Sequence, residues 1–231
     1  MPDRLTLPWP DRAAFAGRDG RPIRLLAVSD ERDGSLDSER TREGLGPLDL
    51  IVGCGDLEPD YLAFLADAFG VPLRYVRGNH DVGSGWGEHA DPVLPAPMDD
   101  GRVHAEDGLR LLAFSGSPRY APHGRAGSDQ QLSGFAMWLR VLAAWPGASS
   151  RRPLLLVTHA APRGLNDASD HAHRGFVAFR WLLDRLRPPL WLHGHTSLVR
   201  RGIDGRCIRH DGTMLVNVTG ATLVELTPAD P

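Results

Sequence analysis

An α/β fold, with helices packed outside a sheet core, is predicted by three features of the 231-residue sequence. Strand-length runs of nearly continuous apolar character recur along the chain, as expected of strands covered on both faces. Segments with three- and four-residue apolar spacing lie between several of them. The length suits one domain with a single substantial core.

In order, "IRLLAV" (23–28) and "LDLIVG" (48–53) read as the first two strands of that core. "PDYLAFLADAF" (59–69) opens with Pro at a first helical position, and "PLRYVRG" (72–78) returns to strand. "LRLLAFSG" (109–116) is a strand, "DQQLSGFAMWLRVLAAW" (129–145) a helix ending before "PGASS", and "PLLLVTH" (153–159) a strand. "RGFVAFRWLLDRLR" (174–187) is a helix stopped by Pro188 and Pro189, before the strand "PLWLHGH" (189–195). "MLVNV" (214–218) and "TLVEL" (222–226) close the chain. Residues 1–22 are expected to form an N-terminal arm, partly docked through Trp9 and Phe15, and 23–231 the domain. The Gly-, Pro- and His-rich stretches 83–108 and 117–128 read as functional loops.

Composition narrows the function classes. Hydrophobic residues at 42% and charged residues at 24% fit a globular chain and exclude extended disorder. No apolar run reaches the roughly 18 residues of a membrane span, and "MPDRLTLPWPDRAAFAGRDG" places acidic and Pro residues where a signal peptide carries its apolar stretch. A cytoplasmic location is expected. All 26 residues counted as Lys or Arg are Arg, which reflects coding bias. A net charge of −3 gives no global footprint for nucleic acid, leaving a local basic groove as the only route to it. Cys54 and Cys207 form neither a metal pair nor a disulfide framework.

Chemistry collects at strand C-termini. Asp30 follows the first strand, Asp56 the second, Asn79, His80 and Asp81 the third, His159 follows "LLLVT", and His193 and His195 follow "PLWL". Strands joined by crossover helices share one C-terminal edge, where sites form. Two Asp, one Asn and three or four His make a mixed oxygen and nitrogen set suited to Mn, Fe or Zn. That is more ligand than one ion uses. Two divalent ions about 3.5–4 Å apart, bridged by a carboxylate, would use it, and such a pair suits in-line displacement at phosphorus.

"GD" (55–56), "GNHD" (78–81), "TH" (158–159) and "GH" (194–195) resemble, in order and interval, the signature blocks of the calcineurin-like metallophosphoesterase superfamily. The resemblance covers 23 to about 226 and implies a four-layer αββα sandwich with a dinuclear centre at the strand ends. It implies that Asp56 bridges both ions, that Asn79, His159 and His193 complete the second site, and that Asp30 and His195 belong to the first. It further implies that His80 sits beside the metals, donating to phosphate or to the leaving oxygen, with Asp81 orienting it. The family's opening Asp-x-His is here Asp30-Glu31-Arg32, and a guanidinium offers no lone pair to a metal. The chain resembles a bacterial subgroup in which this His is replaced. Three arrangements follow for the first site: filled, with water or with Glu31 or Asp33 in the gap; filled only with substrate; or empty.

Arg32 is either a solvent-exposed loop residue or an anion contact reaching over the metals. In "SDHAHRGF" (169–176), His173 and Arg174 are candidate substrate contacts, the alternative being ordinary residues ahead of a helix. "GSPRYAPHGR" (116–125) is a surface loop or a lid carrying Arg119, Tyr120 and His123. Trp138, Trp145, Phe176, Phe179 and Trp181 read as packing residues. The function expected is a metal-dependent phosphoric ester hydrolase, a phosphodiesterase or phosphatase acting on a small phosphate ester through metal-activated water. Its alternatives are a degenerate fold serving as a binding or scaffold module, and a nuclease.

Overall fold

The structure is a computed structural model, and it describes residues 1–86, 94–120, 130–150, 152–197 and 202–229. Its first half runs β1 (Asp3–Trp9), β2 (Ile23–Ser29), α1 (Glu39–Leu45), β3 (Leu50–Gly53), α2 (Pro59–Phe69), β4 (Leu73–Tyr75), β5 (Val103–Glu106) and β6 (Leu109–Phe114). The short pair β7 (Ser117–Pro118) and β8 (Gln131–Leu132) follows, then α3 (Gly134–Ala148), β9 (Leu155–Thr158), α4 (Val177–Leu186) and β10 (Leu190–His193). The chain ends with α5 (Gly202–Arg206), β11 (Cys207–His210), β12 (Thr213–Asn217) and β13 (Gly220–Pro228).

Two sheets stack, one ordered β1-β13-β2-β3-β4 and the other β11-β12-β10-β9-β6-β5. The apolar runs are continuous because alternate residues feed different layers. In β2, Ile23, Leu25 and Ala27 enter the core between the sheets, while Leu26 and Val28 pack outward with Leu45 of α1 and Leu62 and Leu65 of α2. In β9, Leu155 and Val157 face inward and Leu156 packs against Met137 and Val141 of α3 and Phe179 and Leu182 of α4. The four-layer αββα sandwich follows directly. Truncating a fully buried residue such as Leu26 to Ala would cost roughly 2–5 kcal/mol.

Local chemistry sets the ends. Gly70, in the left-handed region at φ 62°, closes α2 by donating its N–H to the Ala66 and Asp67 carbonyls. α3 begins later than its pattern predicts, because Gln131 and Leu132 pair with β7 and Ser133 then caps the helix through Ala136 N (3.1 Å). It also runs past Trp145 through Pro146. α4 begins at Val177 rather than 174, since Phe176 is tied at both backbone groups to Ala161 and Arg163.

Within the expected arm 1–22, residues 3–9 form β1, parallel to β13, with Leu7 opposite Leu226. Trp9 and Phe15 are buried in the inter-sheet core. Buried Arg206 anchors this edge, pairing with Asp3 and donating to the carbonyls of Asn217 (3.3 Å) and Thr219 (2.7 Å). Trp138 and Trp145 both contact Trp181 between α3 and α4, at centroid distances of 5.5 and 5.2 Å. They pack as expected. Among the described residues no helix is long and apolar enough to cross a membrane.

Candidate metal centre

The parallel strands β2, β3 and β4 of one sheet and β9 and β10 of the other end on one edge of the sandwich. Asp30, Asp56, Asn79, His159, His193 and His195 all stand at or just beyond these ends. The turns are tight. Asp30 (φ 58°), Asp56 (φ 56°) and His195 (φ 68°) occupy the left-handed region, which non-glycine residues adopt at a cost and which concentrates at functional sites. A Cβ on Gly78 would overlap the Asp56 carboxylate, and one on Gly194 would overlap Ser29 and Asp30. The Gly in "GNHD" and that in "HGH" are thus close-approach residues.

Backbone amides hold the carboxylates. Asp30 accepts from His195 N through both oxygens (3.1 and 2.9 Å) and from Ser29 Oγ (2.6 Å). Asp56 Oδ1 accepts from His80 N (2.7 Å). Asp81 Oδ2 accepts from Gly78 N (2.7 Å) and Asp56 N (2.9 Å), binding the β3 and β4 loops together. Burial pushes Asp81 up to about 6. Asp81 therefore spends its carboxylate on backbone, and among the described residues the exposed His80 ring makes no hydrogen bond. The expected Asp81 to imidazole contact is replaced by this brace.

The imidazoles share a design. A carbonyl only accepts, so the ring nitrogen facing one carries the proton. His159 Nδ1 donates to Cys54 O (2.8 Å), His193 Nδ1 to Gly194 O (3.2 Å) and His195 Nε2 to Ala172 O (2.8 Å). The opposite nitrogen of each ring is left for another partner. His159 Nε2 meets Asn79 Oδ1 (3.0 Å) and Asp56 Oδ2 (3.2 Å), while His193 Nε2 is buried without a hydrogen bond. One ligand atom each from Asp56, His159 and His195 lies within 4.8 Å of the other two. Rings anchored on carbonyls with the second nitrogen free are how metal-binding histidines are held. The orphaned nitrogen of His193 and the oxygens crowded on His159 both fit a cation.

Electrostatics agree. Burial alone would lower His159, but the Asp56 carboxylate, joined by Asp30 and the Cys54 carbonyl, outweighs it and raises the group to about 9. Burial raises Asp30, whereas His159 reverses the effect of burial at Asp56 and lowers it. Burial lowers His193 to about 4 and His195 to about 3, keeping both neutral at ordinary pH.

Above these groups opens a cavity of about 360 Å³. Its walls include Asp30, Asp56, Asn79, His80, His173 and His195, together with Glu31, Tyr120, Ala172 and Ser197. Of the three candidate substrate contacts, only His173 faces it, its ring 5.3 Å from His195 and its Nδ1 on Asp170 (2.8 Å). Arg32 is turned away, paired with Asp37 (2.7 Å) and lying over the Tyr61 ring (5.1 Å). Arg174 donates to Ser169 O (3.2 Å) and lines a separate depression with Arg163 and Asp167. Of the two carboxylates offered for the gap, Asp33 caps a 3-10 turn through Ser35 N (2.9 Å), and Glu31 faces the cavity.

Sequence reasoning missed Asn217 and left Tyr120 undecided. Asn217 Nδ2 donates to Thr196 O (2.8 Å) and Gly194 O (3.4 Å), fixing the loop that presents His195. Only its place at the end of β12, beside β10, signals this. Tyr120 OH accepts from Asn79 Nδ2 (3.3 Å), so part of the expected lid reaches the site. His123 lies outside the described residues.

Residues 37–197 match the family model for calcineurin-like phosphoesterases, a span that holds all four signature blocks but begins beyond Asp30. Among curated proteins, none matches the sequence. One crystal structure, 14% identical, aligns with TM-score 0.59 over 88% of this chain and 95% of its own. The protein TT1561 of Thermus thermophilus, 15% identical, aligns with TM-score 0.56 over 86% of this chain and 90% of its own. Both share the fold. A dimetal phosphatase from Danio rerio, 13% identical, covers 87% of this chain and 88% of its own with TM-score 0.42.

Proposed function

Because the chain belongs to the calcineurin-like phosphoesterase family, we propose that it is a metal-dependent hydrolase of small phosphoric esters, using two divalent ions and water as the nucleophile. The observation that carries this is the set of three imidazoles, each anchored on a backbone carbonyl with its other nitrogen left for a cation. Asn79, His159 and His193 would hold one ion and Asp30 and His195 the other, with the Asp56 carboxylate available to both. Divalent ions there supply Lewis-acid polarisation of the phosphoryl group and acidify water. The remaining work belongs to side chains at the rim. His80, exposed with an uncommitted ring, donates a hydrogen bond to a phosphoryl oxygen or a proton to the leaving oxygen. His173, oriented through Nδ1 by Asp170, presents Nε2 to the phosphate. Tyr120 holds the Asn79 amide.

The cavity is open and of small-molecule size, which suits phosphomonoesters and small diesters. Free Cys54 and Cys207 are compatible with a cytoplasmic setting. Hydrolysis of aryl phosphate mono- and diesters with Mn²⁺, beside Asp56→Asn, tests the proposal. Turnover in the wild type that Asp56→Asn lacks is expected. Equal activity in both, or none with Mn²⁺, Fe²⁺ or Zn²⁺, sinks it. The departure at Arg32 favours one other reading, a fold retained as a binding module, which the second outcome would support.

A further inference from the structure

The outer half of the centre lacks the second imidazole of the family pattern, and Arg32, which stands there, has its guanidinium held outward by Asp37 and Tyr61. The residue facing the cavity is its neighbour. Asp30 leaves β2 in the left-handed region, and that turn sends Glu31, not Arg32, over the cavity beside Asp30, Asp56 and His195. Glu31 is also held in place. Ser197, two residues beyond His195, donates its hydroxyl to Glu31 Oε1 (2.8 Å), tying the β2 loop to the β10 loop and leaving Oε2 for a further partner. His195 supplies an independent pointer, being buried with Nε2 committed to Ala172 O and Nδ1 without a hydrogen bond among the described residues.

We propose that Glu31 is a metal ligand, its carboxylate taking the place of the missing imidazole in the outer site. This rests on the phosphoesterase reading of the same centre. The outer site then presents carboxylates from Asp30, Glu31 and Asp56 with one imidazole from His195, whereas the inner site keeps two imidazoles and an amide. An oxygen-rich set favours a hard ion, so Mn²⁺ is the fitting probe. Arg32 keeps a separate role as a surface residue.

The test is Mn²⁺ stoichiometry and affinity by titration calorimetry and elemental analysis on the whole chain. Wild type is compared with Glu31→Gln, Asp33→Asn and Arg32→Ala, and thermal melts confirm folding. Gln preserves an oxygen for Ser197 and removes the charge. Wild type and the two neighbouring variants are expected to hold two ions. Glu31→Gln should hold one tightly and lose at least about tenfold in affinity for the other, a ligand mattering no less than the outer-shell partners that tune affinity 10–100-fold. Two ions bound by Glu31→Gln as tightly as by wild type, or an equal loss in Asp33→Asn, overturns the assignment and leaves the hydrolase standing. So does a single ion held alike by wild type and Glu31→Gln. No Mn²⁺ in wild type together with no hydrolysis overturns the hydrolase as well.

Discussion

In the proposed centre Asn79, His159 and His193 are buried, with Asn79 alone of the three reaching the cavity wall, while Asp30, Glu31 and His195 all line the cavity. Inner groups are fixed by packing and by carbonyls of strand-end residues such as Cys54. Outer groups are fixed by contacts between loops: Asp30 on His195 N, Glu31 on Ser197, Asn217 under Gly194 and Thr196. The inner half is thus a property of the fold and follows the family pattern. The outer half is a property of loop sequence, and there this chain departs.

Removing what the halves share should have the largest effect. Asp56→Asn is expected to lower aryl phosphate turnover by roughly 10³-fold, since metal polarisation is worth several kcal/mol of transition-state stabilisation. Steady-state kinetics with Mn²⁺ measure it. Next, His159→Ala leaves Asp56, its side chain 9% exposed, without its cationic partner and should destabilise the metal-free protein by about 3–5 kcal/mol, read from denaturant unfolding. A fall below about 1 kcal/mol would erase the contrast with the outer half. Asn217→Ala should cost roughly 1–3 kcal/mol by removing a hydrogen bond from each of the Gly194 and Thr196 carbonyls, and should weaken outer-site Mn²⁺ binding more than inner.

Acidity separates the halves in a different way. In metal-free protein His159 is raised to about 9 from 6.5, so its stabilising contribution is complete below pH 6.5 and lost as pH rises through 9. His193 and His195, lowered to about 4 and 3, act in the opposite sense, and stability is lost as pH falls below 6.5. The melting temperature without metal should therefore peak near pH 6.5, and Mn²⁺ should remove the alkaline decline by displacing the His159 proton. The smallest effect is expected of Arg32→Ala: an ion pair this exposed and screened adds little to stability, and turnover should not change. A large loss of turnover would return Arg32 to the substrate.

Much of this was legible in the chain. β2, β3, β6, β9 and β10 were visible because burial on both faces makes them uninterrupted, and the residues after them announced the site. β1 was not, since it is an edge strand with alternating exposure that carries Pro8, tolerated there because an edge leaves one row of amides unpaired. α1 escaped for want of periodicity, with Leu45 its one buried residue. The six proposed ligands were readable by position. The direction of Glu31 and Arg32 was not, because it depends on the backbone turn at Asp30 and on where Asp37 and Tyr61 come to rest. Arg174 misled for a like reason: 174–176 are bound to the preceding loop instead of opening the helix.

The place of β13 between β1 and β2 bears on how the protein is made. Both partners of β13 lie before residue 30, so β1 gains its partner, and β2 its second beside β3, only once residues 220–228 have been made. Gly220 pairs with Ser29, directly before Asp30. The first ligand to leave the ribosome is thus among the last to be set, and contacts of such sequence separation form late. Nascent chains arrested before residue 220 should accordingly be cut readily by protease and bind no Mn²⁺, and chains released after β13 has been made should gain both resistance and binding.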